Sequence, residues 1–356
     1  MIGGKSPAQA LWNTVKHWSG SNAEHYVYAS ISSDSGDPLT PYASYFRLWL
    51  SQMFLAKSSQ WGAEWFPAVH AEVRLNFGDR GASTFTCIAQ PAKDALARGG
   101  RLNYQLTELL PYAGGVVEIE ASLLGLKGAD YLGTAISVLQ GFSSLVAAPL
   151  GQAISVAEKL VSGAHDLLQA TNGRVHLGIH QSFVSVGGSG GAILAPSYLA
   201  VILATKKQLA HERLSVRDDQ LLYRMWEGAP AEPLTTYDYM LLRVEGRAER
   251  DNWRLKNIDE PLERAIGLLA QGKTEEAQVY KTLTLATVWE SADLAPLDKR
   301  RVVEAIKAEL AQFEGPGRGA MGLQQRDLHN IMEARGISLA QAEALGELTP
   351  SDVLGR

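Results

Sequence analysis

The repeat period of apolar residues changes once along this chain, and that change bounds what it can fold into. From about Ser44 to Gly246 the period is two. Val69, Ala71, Val73, Leu75 and Phe77 alternate with His70, Glu72, Arg74 and Asn76. Alternation at that spacing places the two sets on opposite faces of a strand. Val117, Ile119, Ala121 and Leu123 alternate in the same way with Glu118, Glu120 and Ser122, and Val175, Leu177 and Ile179 alternate with His176 and His180. The apolar run 199–205 predicts a strand buried on both faces, and 237–244 predicts another. Turn clusters separate these runs at 78–81, Gly114-Gly115, Asn172-Gly173 and 187–191. Seven or more short strands with one polar face predict an antiparallel sandwich or open barrel.

One segment interrupts the alternation. Residues 131–157 carry no Asp, Glu, Lys or Arg across 27 positions. Leu132, Ala135, Ile136, Leu139, Phe142 and Val146 recur at helical spacing, and beyond Pro149 so do Ile154, Ala157, Leu160, Val161 and Ala164. Two amphipathic helices inserted into the body over 131–170 follow from that pattern. A run of about 20 apolar residues would cross a bilayer, which makes Leu139, Phe142 and Ile154 the candidate membrane-contacting residues. Pro149 and the interspersed Ser, Gln and Gly residues favour core helices over a span.

Beyond Gly246 the period becomes 3.6, with 11 Lys or Arg and 13 Asp or Glu between Gly246 and Glu314. Helices are predicted over 260–271, 274–290 and 295–313, with Pro261 in a first turn, where its missing N–H costs nothing. Residues 315–319 read as a linker, and 323–356 as a short helical tail in which Ser338 is a candidate cap. The expected fold is therefore α+β, with an antiparallel β-sandwich-like body over 44–246 that carries the insertion at 131–170. An all-α helical module follows at 247–314. An N-terminal segment, 1–43, and a linker with tail, 315–356, flank them.

Residues 267–274, Gly-Leu-Leu-Ala-Gln-Gly-Lys-Thr, fit the phosphate-loop pattern G-x-x-x-x-G-K-[ST] without error. A working phosphate loop follows a strand, so that backbone N–H groups wrap the phosphates at the start of a helix. Here Leu262, Ala265, Ile266, Leu269 and Ala270 form one helical stripe before the string. Gly272 then reads as a helix stop and Thr274 as the cap of the next helix, with Glu275 and Glu276 in its first turn. The string is expected to be a turn between helices, not a nucleotide site. Residues 265–280 resemble one helix–turn–helix unit of the tetratricopeptide type, in the turn Gly272-Lys273-Thr274-Glu275-Glu276-Ala277. That resemblance covers one unit and implies a helical hairpin.

Composition excludes several chemistries. The net charge of −5, without a run of like charges, argues against a nucleic-acid surface. One cysteine, Cys87, can form no internal disulfide and reads as a small buried hydrophobe. The first twenty residues lack the charged-then-apolar pattern of a secretory signal, so a soluble protein in the cytoplasm is expected.

Candidate sites are sparse. His176 and His180 on one strand face stand roughly 13 Å apart, too far to share a metal ion, and are expected to face solvent. Glu118 and Glu120 read as a solvated strand face. Asp34 with Asp37, and Asp218 with Asp219, read as polar turns, and 187–191 as a hairpin tip. No catalytic residue, cofactor site or metal site is assigned. Trp61, Trp65 and Phe66 are the candidate interaction residues, within an aromatic group that includes Tyr42, Tyr45 and Trp49 and is otherwise expected in the core. These readings together predict a non-catalytic cytosolic interaction or scaffold protein. Its binding body is β-rich, its helical module docks a protein partner or a second copy, and it takes no nucleic acid. Two alternatives stand beside it: a membrane-docking effector that uses 131–157, and a hydrolase whose residues, among His70, Cys87, Glu118, Glu120, His176 and His180, gather only on folding.

Overall fold

The structure, a computed structural model, describes residues 26–32, 36–56, 59–60, 63–76, 82–89, 103–127, 173–186 and 192–313, with backbone alone at 59–60, 63–66, 76, 82–89 and 127. In chain order its strands are β1 (Val27–Ser32), β2 (Ser44–Phe54), β3 (Ser59–Gln60), β4 (Ala63–Asn76), β5 (Ala82–Ala89), β6 (Tyr104–Gln105), β7 (Leu110–Tyr112) and β8 (Val117–Lys127). Then come β9 (Arg174–Val184), β10 (Ala192–Ile193), β11 (Ser197–Ile202), β12 (Leu214–Arg217), β13 (Gln220–Tyr223), β14 (Glu232–Pro233) and β15 (Tyr239–Arg247). Three helices follow: α1 (Lys256–Ala270), α2 (Thr274–Glu290) and α3 (Pro296–Ala311). The fold is mixed α+β. The chain divides into two compact units, Met1–Pro41 with Phe46–Gly246, and Tyr42–Tyr45 with Arg247–Arg356.

Among its described residues, the first unit holds three sheets, and most strand pairings in it are antiparallel. One sheet runs β1-β11-β15-β2-β6, with β7 also on β2; the second runs β10-β9-β8-β4-β3, with β5 on β4; the third is β12-β13-β14. The alternation in β4 and β8 builds the expected apolar face, but the other face is not in water, since His70, Glu120 and Ser122 are buried too. Val69, Val73, Val117, Ile119 and Leu123 are fully buried. Residues 199–202 of β11 are buried on both faces, as their unbroken apolar run demands.

The third sheet lies on the first through Leu214, Leu221 and Leu234, which cluster with Ala29, Ala200, Ile202, Tyr239 and Leu241. Its hairpin turns at Asp218-Asp219, both in the left-handed region at φ 51° and 62°, the geometry a two-residue turn between twisted strands needs. The Asp219 carboxylate accepts bonds from Tyr198 Oη at 2.8 Å, Arg243 Nη1 at 3.1 Å, Asn103 Nδ2 at 3.2 Å and Ser51 Oγ at 3.4 Å. Each buried Leu contributes roughly 1.5–3 kcal/mol and each such hydrogen bond about 1 kcal/mol. The apolar seat therefore holds the hairpin down, and Asp219 sets where its tip lands.

Among the described residues, the second unit is a three-helix cluster around Ile258, Leu262, Val288, Val302, Ile306 and Leu310. Its buried polar centre is Asp298, which accepts bonds from Tyr45 Oη at 2.8 Å, the Arg250 N–H at 3.0 Å and Arg301 Nε at 2.6 Å. Burial, and then the charge of Asp298, raise the Tyr45 phenol far above its ordinary range. Arg254 binds Asp259, Glu263 and Glu309 together.

Several expectations are corrected here. Helix α1 begins at Lys256, so Pro261 lies inside it and not in its first turn. The first turn forms upstream because the Leu255 carbonyl accepts both the Ile258 and Asp259 N–H groups, each at 2.8 Å. Residues 187–191, expected as a hairpin tip, lie outside the described residues; the strands described on either side, β9 and β10, pair in parallel, with Ala192 opposite Phe183. Tyr42, from the aromatic group expected mostly in the core, is an exposed turn residue at φ 63°. The segments 1–25, 131–170 and 315–356 lie outside the described residues, and so does Asp34.

Candidate functional site

The polar face of the second sheet brings titratable side chains together in three cross-strand rungs. His70 on β4 stands opposite Ser122 on β8, and Ser122 opposite Gly178 on β9. Glu72 stands opposite Glu120, and Glu120 opposite His180. Arg74 stands opposite Glu118, and Glu118 opposite Ser182. Burial falls along this series. Ser122 is 0% exposed, His70 6% and Glu120 6%, whereas Arg74 is open to solvent. Two rungs are bridged between side chains: His180 Nδ1 meets Glu120 Oε1 at 2.9 Å, and Arg74 Nη1 meets Glu118 Oε2 at 3.4 Å. Burial raises the Glu72 carboxyl above its ordinary value, with Arg74 opposing and Glu118 reinforcing the shift. Burial alone lowers His70 to about 4, so its ring is neutral at neutral pH.

Four of the six residues considered for a hydrolase therefore share one strand face: His70, Glu118, Glu120 and His180. Glu120 is buried and paired, which corrects its reading as part of a solvated face. Cys87 is not in register with them, because its backbone pairs with Ala71.

His176 is also elsewhere. Leu123 pairs with Leu177 and Leu124 with Val175, so β9 carries a bulge at His176. The ring leaves the run that carries His180 and meets Asp238 Oδ2 through Nδ1 at 3.0 Å, while Arg174 Nε donates to its Nε2 at 3.1 Å. Those bonds place the proton on Nδ1. Asp238 also accepts the Ala56 N–H at 2.7 Å. The His176 side chain is 7% exposed, so the expectation that both histidines face solvent on a shared face is overturned. The extra residue of a bulge carries no sequence mark here. Among the described residues, no group of three or more His, Cys, Asp or Glu side chains could hold a metal ion.

On the first sheet, Trp49 lies between two guanidinium groups. Arg47 sits 5.3 Å and Arg243 5.1 Å from the ring centre, and the indole N–H donates to Glu245. With Tyr198, Ser51 and Asp219 this forms a polar lattice that fixes the hairpin tip.

The loop after β13 presents a different surface. Met225 is 68% exposed and Trp226 61%. They stand side by side on a short turn closed by the Ala229 N–H on the Trp226 carbonyl at 3.1 Å, with Gly228 at φ 88°. Arg213 Nη1 donates to the Met225 carbonyl, and the Arg224 N–H donates to the Arg213 carbonyl at 3.1 Å. Two large apolar side chains are thus held in solvent on a pinned backbone. The sequence signal was available: Met-Trp precedes Glu-Gly-Ala-Pro, a turn composition, and an apolar pair in a turn has no strand face to hide on. Of the residues chosen from sequence, Trp61 lies outside the described residues. The backbones of Trp65 and Phe66 pair with Lys127 and Leu126 in β8, and their side chains are outside the description. Leu139, Phe142 and Ile154 are outside it as well, and no helix among the described residues is long and apolar enough to cross a membrane.

The string 267–274 runs through the end of α1, a turn and the start of α2. Gly272 at φ 73° follows the helix, its N–H donates to the Leu269 carbonyl at 2.9 Å, and the Lys273 N–H donates to the Leu268 carbonyl at 2.9 Å. This is the Schellman closure of a helix C-terminus. No strand precedes the loop. The capping position is Lys273, without a side-chain cap bond, so Thr274 is the first helical residue and not the cap.

Compared with known proteins, the chain matches no family model, no curated protein and no solved structure.

Proposed function

We propose that this chain is a non-catalytic interaction or scaffold protein of the cytosol, with a sandwich-like β body that docks a protein partner through the Met225–Trp226 turn. Two six-stranded sheets, each carrying rows of buried apolar residues, fit such a body. The observation that carries the reading is the turn itself. Solvent contact of an indole and a thioether side by side is costly, and the Arg213 bond keeps the backbone from folding them in. Trp, Met and Arg are the residues enriched at the centres of protein interfaces. The helical module supplies a second docking element for a partner or another copy of the chain.

The test is a photo-crosslinking amino acid at position 225 in the cells that make the protein, with position 217 as an exposed control. A discrete protein adduct from 225, absent from 217 and lost with Trp226→Ala, is the expected result. The same adducts from both positions, or none from either alongside a concentration-independent monomer in sedimentation, would sink the reading.

A hydrolase is the second reading, favoured by the gathering of His70, Glu118, Glu120 and His180 on one face. It predicts turnover on a panel of ester, amide and phosphate substrates that Glu120→Gln abolishes. A wild-type chain inert on that panel removes it.

A further inference from the structure

We propose that His70, Ser122 and the space over Gly178 form a buried binding site for one small neutral hydrogen-bonding molecule, a water molecule. Three observations on described residues converge there. First, Ser122 Oγ and His70 Nε2 are both buried and neither has a hydrogen-bond partner, although buried polar atoms are nearly always satisfied. Second, the two residues are directly opposite one another on antiparallel strands. Their side chains rise from the same face about 5 Å apart at Cβ, yet they form no bond to each other. Two orphan atoms that share one small volume point to a third group between them.

Third, the flanking positions on this face carry little or no side chain. The residue on the other side of Ser122 is Gly178, which contributes no side chain to the face, and the rung beyond His70 on β4 holds Ala68, also fully buried. A single water needs a polar niche of about one probe sphere and two to four partners. The hydroxyl and the imidazole nitrogen supply two, and the Glu120–His180 rung lies one step along the same face.

Charge decides the class of ligand. The His70 ring is neutral at neutral pH, and the adjoining rung offers two carboxyl groups, Glu72 and Glu120, so an anion finds no counter-charge. A cation finds both carboxyl groups already engaged, Glu120 by His180 at 2.9 Å and Glu72 by Arg74 at 3.7 Å. A neutral molecule that both donates and accepts can bind the serine hydroxyl and the imidazole at once, whichever tautomer His70 adopts.

The experiment is a double-mutant cycle in the full chain, Ser122→Ala and His70→Phe, read from urea unfolding. With a bridging water, Ser122→Ala lowers the folded-to-unfolded ratio in the wild type by roughly tenfold, the weight of one satisfied bond. In the His70→Phe background it lowers the ratio far less. If instead Ser122→Ala raises the ratio and the two changes add, the pair is dry and the proposal fails. Should His70→Phe not fold, magnetisation transfer from water to the Ser122 and His70 side-chain protons decides in the wild type. A long-lived water contact at both residues supports the site, and no contact at either overturns it.

Discussion

His70 carries the sharpest consequence at the scale of the single residue. An unfolded chain protonates its imidazole near pH 6.5, whereas in the fold burial holds that step down to about 4. As pH falls through this window the unfolded state binds a proton that the folded state refuses, so stability falls with it. The loss is on the order of 3 kcal/mol between pH 6.5 and 4. The Glu72 carboxyl, raised by burial, acts in the opposite sense over the lower part of the window, because there the folded state is the one that takes the proton. The difference between wild type and His70→Phe therefore isolates the imidazole. Urea midpoints at pH 7 and 4.5 should diverge for wild type and converge for the variant, and parallel midpoints would contradict this. Trp226 makes the contrasting case. Because its side chain is mostly in solvent, Trp226→Ala should change stability by no more than about 0.5 kcal/mol while abolishing the crosslink from position 225. The two residues show what alternation can and cannot say. It separated His70 from the face that carries Val69 and Val73, but the water expected on the other face is not there: His70 is 6% exposed, and that burial makes its ring basicity fall.

Among the elements, the α1–α2 hairpin was the most legible, because its signals are local. The stripe ending at Ala270, a glycine after it and paired glutamates beyond are all set within a few residues, and the Schellman bonds follow from them. Gly272→Ala should cost about 1 kcal/mol, since φ 73° is strained for any residue with a Cβ. Lys273→Ala should be near neutral, because its one ion pair, to Glu276 at 3.7 Å, is exposed. Thermal melting with and without ATP tests the site reading: neither wild type nor Lys273→Ala should respond, and a shift confined to wild type would restore the phosphate loop. Strand β9 shows where local reading stops. Its period predicted a shared face for His176 and His180, but one unpaired residue at the bulge moved His176 to Asp238. A bulge is chosen by the neighbouring strand, so nothing in residues 174–184 alone announces it.

For the whole molecule, the division into units turns on a segment far away in sequence. Residues Tyr42–Tyr45 belong with the helices that begin some two hundred positions later. The Tyr45 hydroxyl donates to Asp298 and accepts the Ala295 N–H at 2.7 Å. Tyr45→Phe leaves that buried N–H and one carboxylate lone pair unsatisfied, and should cost about 2 kcal/mol. Hydrogen exchange resolved by peptide should show the loss in α3, and unchanged protection there would refute the assignment. By itself, the sequence determined the period switch near Gly246, the principal strands β4, β8, β9, β11 and β15, and the helical hairpin, because each depends on side-chain spacing or caps within one element. The tertiary structure alone decided that Glu120 is buried against His180, that Asp219 gathers four donors and that His176 crosses to Asp238. Those outcomes depend on which distant backbone lies beside each residue, and pairing between strands is set by the total burial of the sheet, not by the residues on either side along the chain.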